Sequence, residues 1–360
     1  MHFLLFAIAL LNAVPLLIAA PTATNAANAN GEPPNGLPDG LPFPSPSELK
    51  MIEQNAHGTL PNGPPPPVIS NEGILNLKLI AFNELFEVAY FSELVTNITE
   101  NRNGYQFTDD AERNQTLAWL RVILAQEELH AIRANNALVH FGVQPIEPCQ
   151  YTFPVQDFNS AIVLASTFTD LVLGTLQDVV ERFALNRDAD LAREIASIIG
   201  NEGEQQGWFR VLQRKVPSEL PFLTTSDLNF AFTAIQSFII PGTCPNIQEI
   251  GLRTFKELDV VTPPGPRDQN VTYSFADTRN EISHPLWMTY INQQNLPIVE
   301  PLHIVSRHGN QVEAEALFPY EEHEMNGFTI AAITKSDGPF SDANAVARWT
   351  LAGPGLIIVN

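Results

Sequence analysis

Three pairs of polar residues recur at helical spacing on otherwise apolar stretches of this sequence. Glu127 and His130 stand three residues apart, so on a helix both side chains can reach one point. Stepping by three and four from Glu127 meets Leu117, Leu120, Ile123 and Leu124 on one side and Ala131, Ala134 and Leu138 on the other, which sets the carboxylate inside an apolar stripe. A charge buried there costs several kcal/mol unless it is paired or bound to a metal. Glu84, with Glu87 one turn on, lies in a second stripe of Ile74, Leu77, Ala81, Val88, Phe91 and Val95. Glu202 and Gln205 lie in a third, formed by Leu191, Ile195, Ile198, Ile199, Phe209 and Leu212. Carboxylate and imidazole ligands suit iron or manganese, and the i, i+3 spacing lets one helix serve two neighbouring ions. A metal-free polar core, in which protonated carboxyls, Gln205 and His130 hydrogen-bond to one another, would use the same residues. Glu128 is turned about 100° from Glu127, onto a face shared with Arg121, Ile132 and Asn135, and is expected in solvent.

The helices that must position these residues are bounded by cap signals. Ser70 or Asn71 opens a helix running to about Asn97. Asp109, with Glu112 at capping-box spacing, opens a second that ends at Phe141-Gly142. A third spans about Asp157 to Phe183, and Asn186-Arg187-Asp188 turns into a fourth that ends near Lys215. A shorter fifth runs from Ser226 to Ile240. The pattern predicts an all-α core, an up-down four-helix bundle plus a short fifth helix. Gly200, Gly203 and Gly207 each weaken an isolated helix by about 1 kcal/mol relative to Ala, and their size predicts close approach of a neighbouring helix. Beyond Cys244 the periodicity changes. Pro263, Pro264 and Pro266 mark a boundary or long loop, and the short runs Val312 to Phe318, Phe328 to Thr334 and Leu356 to Val359 predict a loop-rich, β-containing extension over 246–360.

Residues 1–20 are almost wholly apolar and end in small residues before Pro21, which reads as a cleaved secretory signal, although no Lys or Arg precedes the apolar run. Residues 21–69 form an Ala/Asn segment and then a Pro/Gly-rich arm, expected to be extended or disordered; the bundle occupies 70–245. Export agrees with sequons at Asn97, Asn114 and Asn270 and with a cysteine count of two, Cys149 and Cys244, which suits one disulfide. Closing a loop of that length would stabilise the fold by roughly 4 to 5 kcal/mol in the chain-entropy model. A formal net charge of -21 opposes binding to nucleic acid or to an anionic membrane and favours attraction of cations. Glu321-Glu322-His323-Glu324 reads as a solvated loop, and His303, His308 and His323 lack a fixed ligand spacing.

With Glu127 and His130 in a Glu-x-x-His motif, and Asn83-Glu84-Leu85-Phe86-Glu87-Val88-Ala89-Tyr90-Phe91 close to a Leu-Glu-x-Leu-Glu-x-x-Phe-Tyr pattern, the sequence resembles the ferritin-like domain of secreted desiccation- and stress-related proteins. These include fungal stress-response and late sexual development proteins. The resemblance covers roughly residues 70–245, and the ending Ala352-Gly353-Pro354-Gly355-Leu356-Ile357-Ile358-Val359-Asn360 looks like the fungal branch. It implies an acidic ligand at Asp170, within Phe168-Thr169-Asp170-Leu171-Val172, and a second Glu-x-x-His where this chain has Glu202-Gly203-Glu204-Gln205. Gln is a poorer ligand than imidazole for these metals, and Asp170 is one methylene short of Glu. The implied ligand set is therefore Glu84, Glu87, Glu127, His130, Asp170, Glu202 and Gln205, holding one or two iron or manganese ions or none. The reading that follows is an extracellular or cell-wall protein of stress or development, non-enzymatic, with a cell-surface partner and no membrane contact after signal cleavage. Its alternatives are a metal-dependent oxidase or peroxide-consuming enzyme and a structural or adhesive surface protein.

Overall fold

The computed structural model describes residues 40–277, 282 and 285–360, so the signal expected at 1–20 and the first part of the arm lie outside the described residues. The remainder of the arm differs from expectation. Residues Pro46–Asn55 form helix α1, capped by Ser45, whose hydroxyl accepts from the Glu48 backbone while the Glu48 side chain accepts from the Ser45 backbone. Proline in the first turn is compatible with that start, and Ile52 is 1% exposed. A Pro-rich composition thus concealed a capping box followed by one apolar anchor.

The four long helices are α2 (Asn71–Thr99), α3 (Asp110–His140), α4 (Phe158–Leu185) and α5 (Ala189–Leu212). Ser70, Asp109 and Asp157 supply N-cap oxygens to the first three. The helices pack as α2 on α3 and α4 on α5, with α1 against α3. Helix α6 (Leu228–Gln236), capped by Asp227, closes one side against α2 and α4. The core is strongly aromatic: Phe86, Tyr90 and Phe168 meet edge to face at 4.9 to 5.3 Å. Cys149, before α4, is bonded to Cys244, beyond α6, across a separation of 95 residues. Two glycine expectations fail. A Cβ at Gly200 or Gly203 would meet nothing within 4 Å, so they face open space rather than a close helix, and at Gly207 it would meet only Pro217 at 3.6 Å.

Glu128 is buried rather than solvated. Its face of α3 is covered: Asn135 exchanges two hydrogen bonds with the backbone of Ile146 in the connection to α4. Asn97 is also buried, at 6% exposure within α2, so the folded chain leaves no room for a glycan there. Asn114 and Asn270 are exposed.

After a 3-10 turn (Ile247–Glu249), the C-terminal region is richer in strands than the short apolar runs suggested. In chain order come β1 (Leu258–Val260), β2 (Gln269–Ala276), β3 (Trp287–Asn292), β4 (Ile298–Pro301), β5 (His303–His308), β6 (Gln311–Phe318), the short helix α7 (Tyr320–His323), β7 (Gly327–Thr334), helix α8 (Ala343–Trp349) and β8 (Thr350–Val359). They form two antiparallel four-stranded sheets, in the orders β1-β2-β6-β5 and β4-β3-β7-β8. The proline cluster falls in the β1–β2 loop rather than at a domain boundary. The sheets share an apolar core, crossed by a 2.9 Å hydrogen bond between the hydroxyls of Tyr273 and Tyr290. Strand β7 is buried throughout because both its faces are covered. Phe328, Ile330 and Ala332 face the helical core, while Ala331 and Ile333 face the other sheet.

The two regions are also joined by charge. The Arg182 guanidinium on α4 reaches Asp178 (2.6 Å), Asp227 at the start of α6 (2.9 Å), Glu72 on α2, and the Asn344 amide on α8. Asn344 in turn donates to Asp178 at 2.7 Å.

Candidate metal centre

Midway along the bundle, α2 presents Glu84, α3 presents Glu127 and His130, and α5 presents Glu202. One ligand atom from each lies within 4.8 Å of all the others. The three glutamates are 0% exposed, because each interrupts an apolar stripe that the bundle buries. His130 Nδ1 stands 2.9 Å from Glu127 Oε2 and 3.4 Å from Glu84 Oε2. Among the described residues neither oxygen of Glu202 has a hydrogen-bond partner, and Glu84 has the His130 approach at 3.4 Å.

Burial pushes Glu84 up to about 7, against the opposing pull of His130. Glu87, one turn on in α2, is held well above the carboxylate range by burial and by the neighbouring Glu127 and Glu84. Its Oε1 accepts from Asn83 Nδ2 at 3.2 Å. Glu202 is raised likewise, by burial and then by Glu87, Glu84 and Glu127. Burial lowers His130, but Glu127 and Glu84 outweigh it and keep the imidazole protonated well above its ordinary range. Burial and mutual repulsion thus hold Glu84, Glu87 and Glu202 toward their neutral forms in a dry core, where a bound cation would favour the ionised ones instead.

Three expected ligands stand outside the four: Glu87, one turn on from Glu84, and Gln205 and Asp170. Gln205 reaches the cluster, but its amide nitrogen donates to Glu127 Oε1 at 2.5 Å, so it orients a ligand instead of serving as one. Asp170 does not reach it. Its carboxylate accepts from Gln206 Nε2 at 2.5 Å and is raised by burial and by Glu219. Glu219 is paired with the buried Arg210 at 3.1 Å. Helix α4 therefore contributes nothing to the cluster, and the set is three carboxylates and one imidazole, enough for one ion. Neither Arg210–Glu219 nor the Arg182 network was foreseen, although Asp178 and Arg182 stand at i, i+4 spacing, a legible ion-pair signal. Of the other candidates, His303 and His308 are exposed on β5, and Glu321, Glu322 and Glu324 are exposed around α7.

His130 also borders a cavity of about 20 Å³ walled by Leu77, Ile80, Phe183, Ile195 and Ile198. The bidentate Arg133–Glu194 pair, at 2.5 and 2.9 Å, stands at its edge. That volume holds roughly one water-sized molecule.

Residues 72–215 match the family profile of the ferritin-like domain, a span that runs from the first turn of α2 to just past α5. No curated protein matches this chain.

Proposed function

From a ferritin-like domain in which three carboxylates and a histidine converge, we propose that this chain is an exported metal-binding protein holding one iron or manganese ion at Glu84, Glu127, His130 and Glu202. The observation that carries this reading is the pair of buried glutamates, Glu84 and Glu202, whose oxygens lack hydrogen-bond partners beside an imidazole. Buried polar atoms are otherwise almost always satisfied, and a carboxylate-rich set with one imidazole suits these metals. Such an ion would supply Lewis-acid or one-electron chemistry. Around it, Gln205 would fix Glu127 in one orientation, and Glu87 would hold a proton in reserve beside the ligands.

Export is supported by the Cys149–Cys244 bond, which is characteristic of oxidising compartments, and by the apolar leader read in the sequence. Asn114 and Asn270 are the proposed glycan sites. A role in stress or development rests on the sequence resemblance, and binding without turnover is the leading form of it. A second reading, oxygen or peroxide chemistry, is favoured by the small cavity that gives a diatomic-sized molecule access to His130. Metal analysis of the secreted protein tests the first reading. About one iron or manganese per chain, lost in the Glu84→Ala, Glu202→Ala double variant, is the expected result, and a metal-free protein that takes up neither ion when supplied with it would overturn it. Consumption of peroxide by the loaded protein decides between the two readings.

A further inference from the structure

Apart from the small cavity, a space of about 630 Å³ opens where α2, α4 and α6 meet β1 and β8. Small-molecule sites commonly occupy roughly 300 to 1,000 Å³ between packed elements, with apolar walls and a few converging polar groups. Phe86 and Phe168 form part of the bundle wall, and Phe238 and Phe255 continue it beyond. Phe86 meets Phe168 and Phe238 at 5.3 Å in each case, so the wall on this side is aromatic and held by core packing. At the bundle side is Asn83, 7% exposed, which lines the space while donating to Glu87. Thr167 and Thr233 also line it, and their hydroxyl protons are committed to the backbone carbonyls of Val163 and Asn229. The Thr233 oxygen already accepts from the Phe255 backbone amide at 3.1 Å, which leaves the Thr167 oxygen as an acceptor.

Charge limits what can enter. The charged residues bordering the space are Glu257 and Asp259, both exposed. They would repel an anion, as would a net charge of -21, and an anion entering would also lose its hydration without a partner. We propose that this cavity binds an uncharged aromatic small molecule carrying a hydrogen-bond donor, with its ring against the half-buried Phe238 and Phe255, which the buried Phe86 and Phe168 back, and its donor turned to Asn83 or Thr167. Edge-to-face contacts with these rings would select an aromatic over an aliphatic occupant. The site is built from residues outside the four metal ligands, so it stands whether or not the bundle holds an ion.

The test titrates the full secreted chain with phenylnaphthylamine, an uncharged aromatic amine whose fluorescence rises in apolar surroundings, and in parallel with its anionic relative anilinonaphthalene sulfonate. Saturable one-to-one binding of the amine, at least about tenfold tighter than that of the sulfonate and unchanged by chelation, is expected. Thr167→Trp, placed on the half-buried wall, should weaken the amine by about tenfold or more at unchanged melting temperature; should that variant not fold, Ser237→Trp at the exposed rim replaces it. Non-saturable binding, equal affinity for the two probes, or full affinity in whichever variant folds would overturn the proposal. Loss of amine binding with retained metal uptake would separate its failure from that of the metal centre.

Discussion

Around Arg182 three carboxylates and an amide converge on one guanidinium, whereas at Glu84 three carboxylates gather about one imidazole, with Glu87 one turn on. Both groups lie within the same helical bundle. In the first, burial still pushes Asp178 up to about 6, but Arg182 and Asn344 oppose it with direct hydrogen bonds. In the second, the oxygens of Glu202 have no hydrogen-bond partner among the described residues, and burial acts together with the neighbouring carboxylates against His130 alone. A five-donor planar cation can close a site by itself, and there it fastens the C-terminal region to the bundle. An imidazole cannot supply that many donors, which leaves room for the further cation proposed above. The same residue types thus serve cohesion in one place and, on that proposal, binding in the other.

Substitution gives the largest test of that contrast. Arg182→Ala leaves Asp178 and Asp227 buried without their cation and should destabilise the protein by about 3 to 5 kcal/mol. Glu202→Gln in the chelated protein should be neutral or stabilising, as read by urea midpoints at constant slope; an equal loss in both would erase the distinction. Next is pH. The folded-state value of Glu84 lies above its unfolded one, so its contribution to stability is present below about pH 4.5 and lost as pH rises through about 7, by roughly 3 kcal/mol. His130, also raised, acts with the same sign. Chelated protein should therefore lose stability between about pH 5 and about pH 8, and a metal-bound carboxylate cluster should not; identical profiles with and without manganese would count against the centre. At a manganese concentration about 100 times its dissociation constant, stabilisation should reach about 2.7 kcal/mol, seen as a rise in melting temperature that Glu84→Ala abolishes. The smallest effect sharpens the picture: Gln205→His, which restores the second Glu-x-x-His, should tighten manganese about tenfold, or about 1.4 kcal/mol, by competitive chelator titration.

Much of the bundle was legible in the sequence because its signals are local. Ser70, Asp109 and Asp157 cap where their residue types suggest, and Glu84, Glu127 and Glu202 interrupt stripes whose period alone places them inside. What was not legible depends on a second surface. Glu128 looks solvent-facing on an isolated helix and is buried because another segment covers that face of α3. Asp170 occupies a position suited to a ligand, yet Gln206 and Glu219 claim it through a turn of chain that spacing cannot anticipate. The amide of Gln205 has a meaning only once Glu127 Oε1 is in place to receive it. The sandwich was underestimated for a related reason: strands such as β7, apolar on both faces, show no alternation to read.

The bond between Cys149 and Cys244 joins two points that bracket α4, α5 and α6. Every exposed connection inside that bracket, including the turn at Asn186 and the link after Leu212, lies within a closed ring of chain. A protease cutting there would open the ring without parting the molecule, and the two ends would stay tethered until a reductant arrived. Where reductant is scarce, the chain can thus be cut once there and still keep helices α2 to α6 in a single covalent body.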